Sequence, residues 1–178
     1  MKLLPMRALL GGVIGLALLG GVTGLALLRG QVFAASPSWV SYNAKAHAAT
    51  LTIIAGYNTT DGGFNFNGAS KGTMVVTIPL GTKVTVKFTN KDKTALPHSL
   101  LVTTWADRMA GSGYALPFKG AASPNYASGA PAGARATFTF TASKAGTYAL
   151  VCAVPGHAAA GMWDTLKVVT GGSASVRL

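Results

Sequence analysis

The sequence predicts an all-β fold, an antiparallel Greek-key β-sandwich over residues 45–170, on three observations. Short segments alternate apolar and polar residues, Gly, Pro, Asn and Asp signals separate them, and nothing from about Trp39 onward holds a helical period beyond a turn or two. With 178 residues, 49% of them hydrophobic, the chain can bury the core of one ordinary domain.

The elements begin with a targeting segment. "MKLLPMR" is short and basic, and residues 8–28 carry no charge, a length that can cross a bilayer. A duplication, "GGVIGLALL" then "GGVTGLALL", spaces Gly11 from Gly15 and Gly20 from Gly24 by four, the small-residue pattern of close helix packing. "GQVFAAS" then offers Ala34 and Ala35 as a cleavage site. Residues 1–35 therefore read as a hydrophobic helix that is either a signal peptide or a membrane anchor. In both cases Lys2 and Arg7 keep the N-terminus cytoplasmic and the remainder is exported, secreted or periplasmic or held at the membrane. Residues 36–44 read as a linker.

Seven strand candidates follow in order: "ATLTIIAGYN", "TMVVTIP", "TKVTVKFTN", "HSLLVTTW", "ARATFTFTA", "GTYALVCAV" and "DTLKVVT". In the third, Val84, Val86 and Phe88 share one face and Thr85 and Lys87 the other; Phe138 and Phe140 alternate with threonines in the fifth. "FNFNG" reads as a turn with its aromatics packed. Residues 106–133, rich in Gly, Ala, Ser and Pro, show no strand pattern and read as an excursion or a short helix. Residues 171–178 read as a frayed tail.

Charge narrows the function. Fifteen Lys and Arg stand against four acids, Asp61, Asp92, Asp107 and Asp164, for a formal +11. The basic residues are scattered singly, without a basic run or helix, so nucleic acid is not the expected partner. Acid denaturation comes largely from protonating paired carboxylates, and four of them leave little to lose. The scarcity of acids thus reads either as a fold suited to an acidic medium or as simply a basic exported protein.

The rare ligand-type residues cluster. The single cysteine, one of three histidines and one of five methionines fall within "CAVPGHAAAGM": Cys152, His157 and Met162. Alternation in "GTYALVCAV" puts Tyr148, Leu150 and Cys152 on one face, inward. His98, expected to open the fourth strand after Pro97, supplies the fourth donor; only His47 competes, and it lies in the polar segment "AKAHAAT". A lone exported cysteine has no disulfide partner in the chain. Two imidazoles, a thiolate and a weak thioether suit both copper oxidation states, the donor set of a blue-copper site. Trp163, beside Met162, is a candidate shield against water.

These residues carry a resemblance. Cys152, His157 and Met162, each separated by four residues, preceded by "GTY" and with an upstream histidine at a strand start, resemble the cupredoxin (type 1 blue copper) family, with ligand-loop spacing like rusticyanin. "FNFNG" and "GHAAAGMW" are most similar to the sulfocyanins. The resemblance implies one type 1 copper per chain, held by His98, Cys152, His157 and Met162, in a membrane-associated electron carrier of a respiratory chain. It also implies a difference: Ser99 follows the first histidine where many cupredoxins have asparagine, and a serine hydroxyl can make part of the link between ligand segments.

Counting ligands removes other classes. Three histidines cannot furnish the further centre of a multicopper oxidase or copper nitrite reductase. One cysteine excludes a dinuclear copper centre, an all-cysteine iron–sulfur cluster and the C-x-x-C-H haem attachment. Structural zinc has little use for a thioether. A cysteine hydrolase would pair Cys152 with a histidine, but no oxyanion motif accompanies it, so the chain reads as no enzyme. The alternative within the fold is a copper-storage or copper-delivery module. For an electron carrier, the uncharged loop residues around His157 form an apolar patch where a cytochrome or terminal oxidase would dock.

Overall fold

Alternation of apolar and threonine-rich positions gives each strand a core face and a solvent face, and the faces close into two sheets. The computed structural model describes residues 38–178, so the candidate targeting helix of residues 1–35 lies outside them. In chain order the strands are β1 (Val40–Asn43), β2 (Ala48–Ala55), β3 (Val75–Pro79), β4 (Lys83–Asn90), β5 (Leu101–Thr104), β6 (Arg135–Thr141), β7 (Gly146–Val151), β8 (Trp163–Val169) and β9 (Ser175–Arg177). One sheet has the order β1-β2-β4-β6 and the other β5-β7-β8-β3-β9. Between β2 and β3 lies one short 3₁₀ turn, Thr60–Gly63.

The period-two pattern explains which side chains enter. Val84, Val86 and Phe88 of β4 are buried while Lys83 and Lys87 are exposed. Phe138 and Phe140 of β6 enter from the neighbouring strand, in register with Val86 and Val84. On β7, Tyr148 and Leu150 face the main core together with Cys152, as expected; Ala149, Val151 and Ala153 face a second apolar cluster on the other side of the sheet. β7 is therefore a central strand covered on both faces.

The sheets are mixed rather than antiparallel. β2 pairs with β4 in parallel, and β3 with β8 likewise. The chain leaves β2 for β3 in the opposite sheet and returns as β4, and two successive reversals leave β2 and β4 pointing the same way. Two strands also occupy segments expected to be linker and tail. Val40 pairs with Leu51 to start β1, and Val176 pairs with Val76 in β9. "VSYN" and "SVR" are too short for alternation to register; pairing with an existing edge makes them strands.

Residues 106–133 contain neither strand nor helix. Their Phe118 enters the main core, stacked on Phe140 with ring centroids 5.5 Å apart and edge-on to Tyr148 at 4.8 Å. Ala122 bridges to Leu101 and Ala130 to His98. The excursion thus returns beside the first candidate ligand. Trp163 packs on the other side of its sheet, edge-on to Trp105 at 5.6 Å with the Arg108 guanidinium over both rings. Met162 points into the main core, so the expected shield role of Trp163 is not met.

Asp164 of β8 is fully buried. Its Oδ1 accepts the Met74 N–H at 2.9 Å, and Oδ2 has no hydrogen-bond partner among the described residues. Burial pushes its pKa up to about 8, against backbone donors from Met74 and Gly72. A carboxyl whose folded value exceeds the ordinary 3.8 gives stability that is complete below about 4 and is lost as pH rises through about 8. Asp164→Asn mimics the protonated side chain. Urea titrations of the metal-free chain should show variant and wild type equally stable at pH 4. The variant should gain on the wild type toward pH 8 by a few kcal/mol, at ~1.4 kcal/mol per pH unit.

Candidate metal centre

The site forms where the approach to β5 meets the loop joining β7 to β8. His98 does not open a strand; β5 starts at Leu101, and His98 is held earlier by a two-way backbone pair with Ala130, at 3.0 and 2.8 Å. Pro97 lacks an N–H and suits a position outside a sheet ladder. On the other side, Cys152 follows the last residue of β7, and its N–H donates to the Met162 carbonyl at 3.1 Å. The Met162 N–H donates to the His157 carbonyl at 3.0 Å. These bonds fold the loop into a closed turn that ties three of the four candidate ligands together by backbone.

Three predicted donors converge. One ring nitrogen from each of His98 and His157 and the Cys152 sulfur lie within 4.8 Å of one another, and all three residues are buried. His98 Nδ1 stands 3.1 Å from His157 Nδ1, and the Cys152 Sγ lies 3.4 Å from His157 Nδ1 and 3.9 Å from His98 Nδ1. Both histidines therefore present the same nitrogen to the sulfur. Met162 is fully buried in the same core. His47, the competing histidine, is exposed in the turn between β1 and β2.

Ser99 makes the link expected of it. Its N–H donates to Cys152 Sγ at 3.3 Å, its Oγ lies 3.7 Å from the same sulfur, and that Oγ accepts the Ala153 N–H at 2.9 Å. One residue thereby joins both ligand segments and supplies hydrogen bonds to the thiol.

Two contacts were not legible beforehand. Phe64 of "FNFNG" lies edge-on to both ligand rings, 4.8 Å from His157 and 6.2 Å from His98, so this stretch is a cover for the site. Asp92 places Oδ2 3.3 Å from His98 Nε2. Its setting, "NKDKT", reads as solvated charge, and no spacing distinguishes it.

Burial sets the electrostatics. It raises the Cys152 thiol above its usual range, against donors from Ser99 and Val154. It lowers His157 to about 4, helped by the nearby His98 and opposed by Asp92. It lowers His98 as well, with Asp92 opposing. Burial would also raise Asp92, but hydrogen bonds from Thr94, Leu96 and His98 outweigh it and hold the carboxylate below its ordinary value. A depressed histidine contributes stability that is complete above 6.5 and, for His157, is lost as pH falls through about 4. Neutral imidazoles are the ligating form, whereas the thiol has to lose its proton to a metal.

The donors fit a soft, redox-active ion. Two neutral imidazoles and a convertible thiol face each other in a buried pocket with methionine alongside, and copper accepts this mixed set in both oxidation states. A carboxylate-preferring hard cation has no oxygen donor in the group.

A family model described as the Sulfocyanin (SoxE) domain matches residues 35–176. A curated sulfocyanin from Sulfolobus acidocaldarius is 36% identical over 132 residues, 70% of this chain. The match spans 65% of that relative's own length. Among solved structures, auracyanin B superposes with a TM-score of 0.49 at 21% identity, covering 74% of this chain and 96% of the other. Rusticyanin from Thiobacillus ferrooxidans gives 0.41 at 20% identity, covering 74% and 87%.

Ser99→Ala removes the acceptor of the buried Ala153 N–H. Chemical denaturation of the metal-free chain should show a loss of about 1–3 kcal/mol, the cost of an unsatisfied buried donor.

Proposed function

The chain belongs to the sulfocyanin family, and from that premise we propose that it is a single-electron carrier holding one type 1 copper through His98, Cys152, His157 and Met162. The observation that carries this reading is the convergence of two Nδ1 atoms and one sulfur within 3.9 Å of one another. Bound copper would supply a one-electron couple between Cu(I) and Cu(II).

The residues supply rigidity and dryness. His98 is held by Ala130, Cys152 by Met162 and Ser99, and His157 by the turn that its carbonyl closes with Met162. Donors fixed by backbone bonds keep their places whichever charge the ion carries, which favours fast transfer. Phe64 covers the imidazole rings, and the core between the sheets keeps the thiol fully buried.

His157 is the natural edge for the electron to cross. It is 8% exposed, His98 and Cys152 are fully buried, and Pro155, Gly156, Ala159 and Ala160 are exposed around it. Ala153, Ala158 and Gly161, also counted in the patch from sequence, are buried, so the uncharged surface is narrower than the loop. A small apolar surface suits brief encounters with a cytochrome or terminal oxidase. The charge-free segment of residues 8–28, preceded by Lys2 and Arg7, supports service outside the cytoplasm or at a membrane, and a respiratory chain is the setting proposed for it.

Adding Cu(II) to the full chain should produce an intense visible thiolate-to-copper band and a reversible one-electron couple, and Cys152→Ser should abolish both. Copper uptake without a reversible couple would favour a delivery module instead. Ala159→Asp should slow transfer to the redox partner about tenfold and make it salt-dependent, as read by stopped-flow mixing.

A further inference from the structure

The two histidines of the cluster differ in what holds their far side. His157 Nε2 takes no hydrogen bond from the described residues, whereas His98 Nε2 faces the Oδ2 of Asp92 at 3.3 Å with both side chains almost wholly buried, at 0% and 2% exposure. The other Asp92 oxygen is occupied. Oδ1 accepts the Thr94 N–H and Thr94 hydroxyl, each at 2.7 Å, and the Leu96 N–H at 3.1 Å. Only Oδ2 remains for the ring.

The carboxylate is wedged in place by two glycines. A Cβ on Gly56 would come within 2.6 Å of the Asp92 Cα, and one on Gly63 within 2.8 Å of Oδ2. Both sit at positive φ, +60° and +98°, where other residues are strained. The turn before Phe64 thus closes against Asp92 while Phe64 itself covers the histidine rings. The next layer is bonded too: Asn90 Nδ2 donates to the Leu96 and Ala130 carbonyls, and its Oδ1 accepts the Asp92 N–H. Strand β4, the loop of residues 91–97 and the Ala130 partner of His98 form one bonded unit around this carboxylate.

A neutral imidazole carries one N–H. If Nε2 donates to a carboxylate, Nδ1 is left with its lone pair, and Nδ1 is the atom aimed at His157 Nδ1 and Cys152 Sγ. A charged acceptor also makes the ring a stronger donor and adds negative charge beside the ion, which favours its higher oxidation state. Resting on the copper reading above, we propose that Asp92 is a positioning residue of the centre: it accepts a hydrogen bond from the Nε2–H of His98, commits Nδ1 to the metal, and biases the couple toward Cu(II).

The test uses the full chain and separates these effects. Long-range ¹H–¹⁵N spectra of the metal-free protein should show His98 protonated on Nε2 alone. A proton on Nδ1 would overturn the inference and leave the copper reading intact. In the copper-loaded protein, Asp92→Asn keeps an acceptor but loses the charge. The Cu(I)/Cu(II) ratio at fixed potential should move about tenfold toward Cu(I), a rise of about 59 mV for a one-electron couple. Asp92→Ala also loses the acceptor, so its His98 should show mixed tautomers that Asp92→Asn restores to the Nε2–H form. Thr94→Ser trims the loop by one methyl while keeping the hydroxyl that donates to Oδ1, and so the charge, and should leave the potential in place. An unmoved potential in Asp92→Asn, or an equal shift in Thr94→Ser, would overturn the proposal. A wild-type chain without a copper band would instead overturn the functional reading, and it shows before any variant is compared.

Discussion

The structure depends on one small link: Ser99 bonding across to Cys152 and Ala153. A cluster of donor atoms in a low-dielectric interior has no internal reason to stay assembled, since each group would be better hydrated apart. Something other than the metal must hold the approach to β5 against the end of β7. Ser99 does this with one N–H and one hydroxyl, while the register of β5 against β7, Leu101 with Val151, carries the alignment onward into the sheet. Everything nearer the surface, including the turn of residues 153–161, is built outward from that join.

The same burial that assembles the site also sorts its protons. Desolvation opposes imidazolium at His98 and His157 and opposes thiolate at Cys152, so the metal-free cluster is neutral and ready to exchange one thiol proton for an ion. Asp92 is the exception: four hydrogen-bond donors converge on a buried carboxylate and keep it charged. Asp164 shows the opposite outcome. With one oxygen unpartnered, it favours the protonated form. Two buried acids in one small domain thus end in different states: the deeper desolvation of Asp164 outweighs its backbone donors, whereas the donors facing Asp92 outweigh its shallower burial. Asp164 gains stability for the fold in acid while the histidines lose it, so a chain with few carboxylates still titrates through its interior.

Strands with a full alternating run were legible because burial on one face and solvent on the other write directly into residue order: "TKVTVKFTN" and "ARATFTFTA" became β4 and β6 with the expected residues inside. Edge strands were not, since β1 and β9 are strands by virtue of the neighbour they join. Parallel pairing of β2 with β4 was equally hidden, because alternation is blind to strand direction. The ligand loop was legible for a different reason: its cysteine, histidine and methionine are local in sequence and chemically rare in this chain. Phe64 and Asp92 were not, as an aromatic in a turn and an acid between two lysines are ordinary until folding places them against imidazole.

By itself, then, the sequence determined what is local: the strand periodicity, the Cys152–His157–Met162 spacing, the scarcity of acids and the distinctness of His98 from His47. Tertiary structure alone decided which nitrogen of His98 faces the sulfur, which acid lies behind it, and how much of the His157 loop reaches solvent. The physical reason is range. Side-chain alternation and ligand spacing are set by bonds along the chain, whereas orientation, desolvation and hydrogen-bond satisfaction are set by groups that meet only after distant segments pair and the sheets close, such as Ser99 and Cys152 at the shared end of β5 and β7.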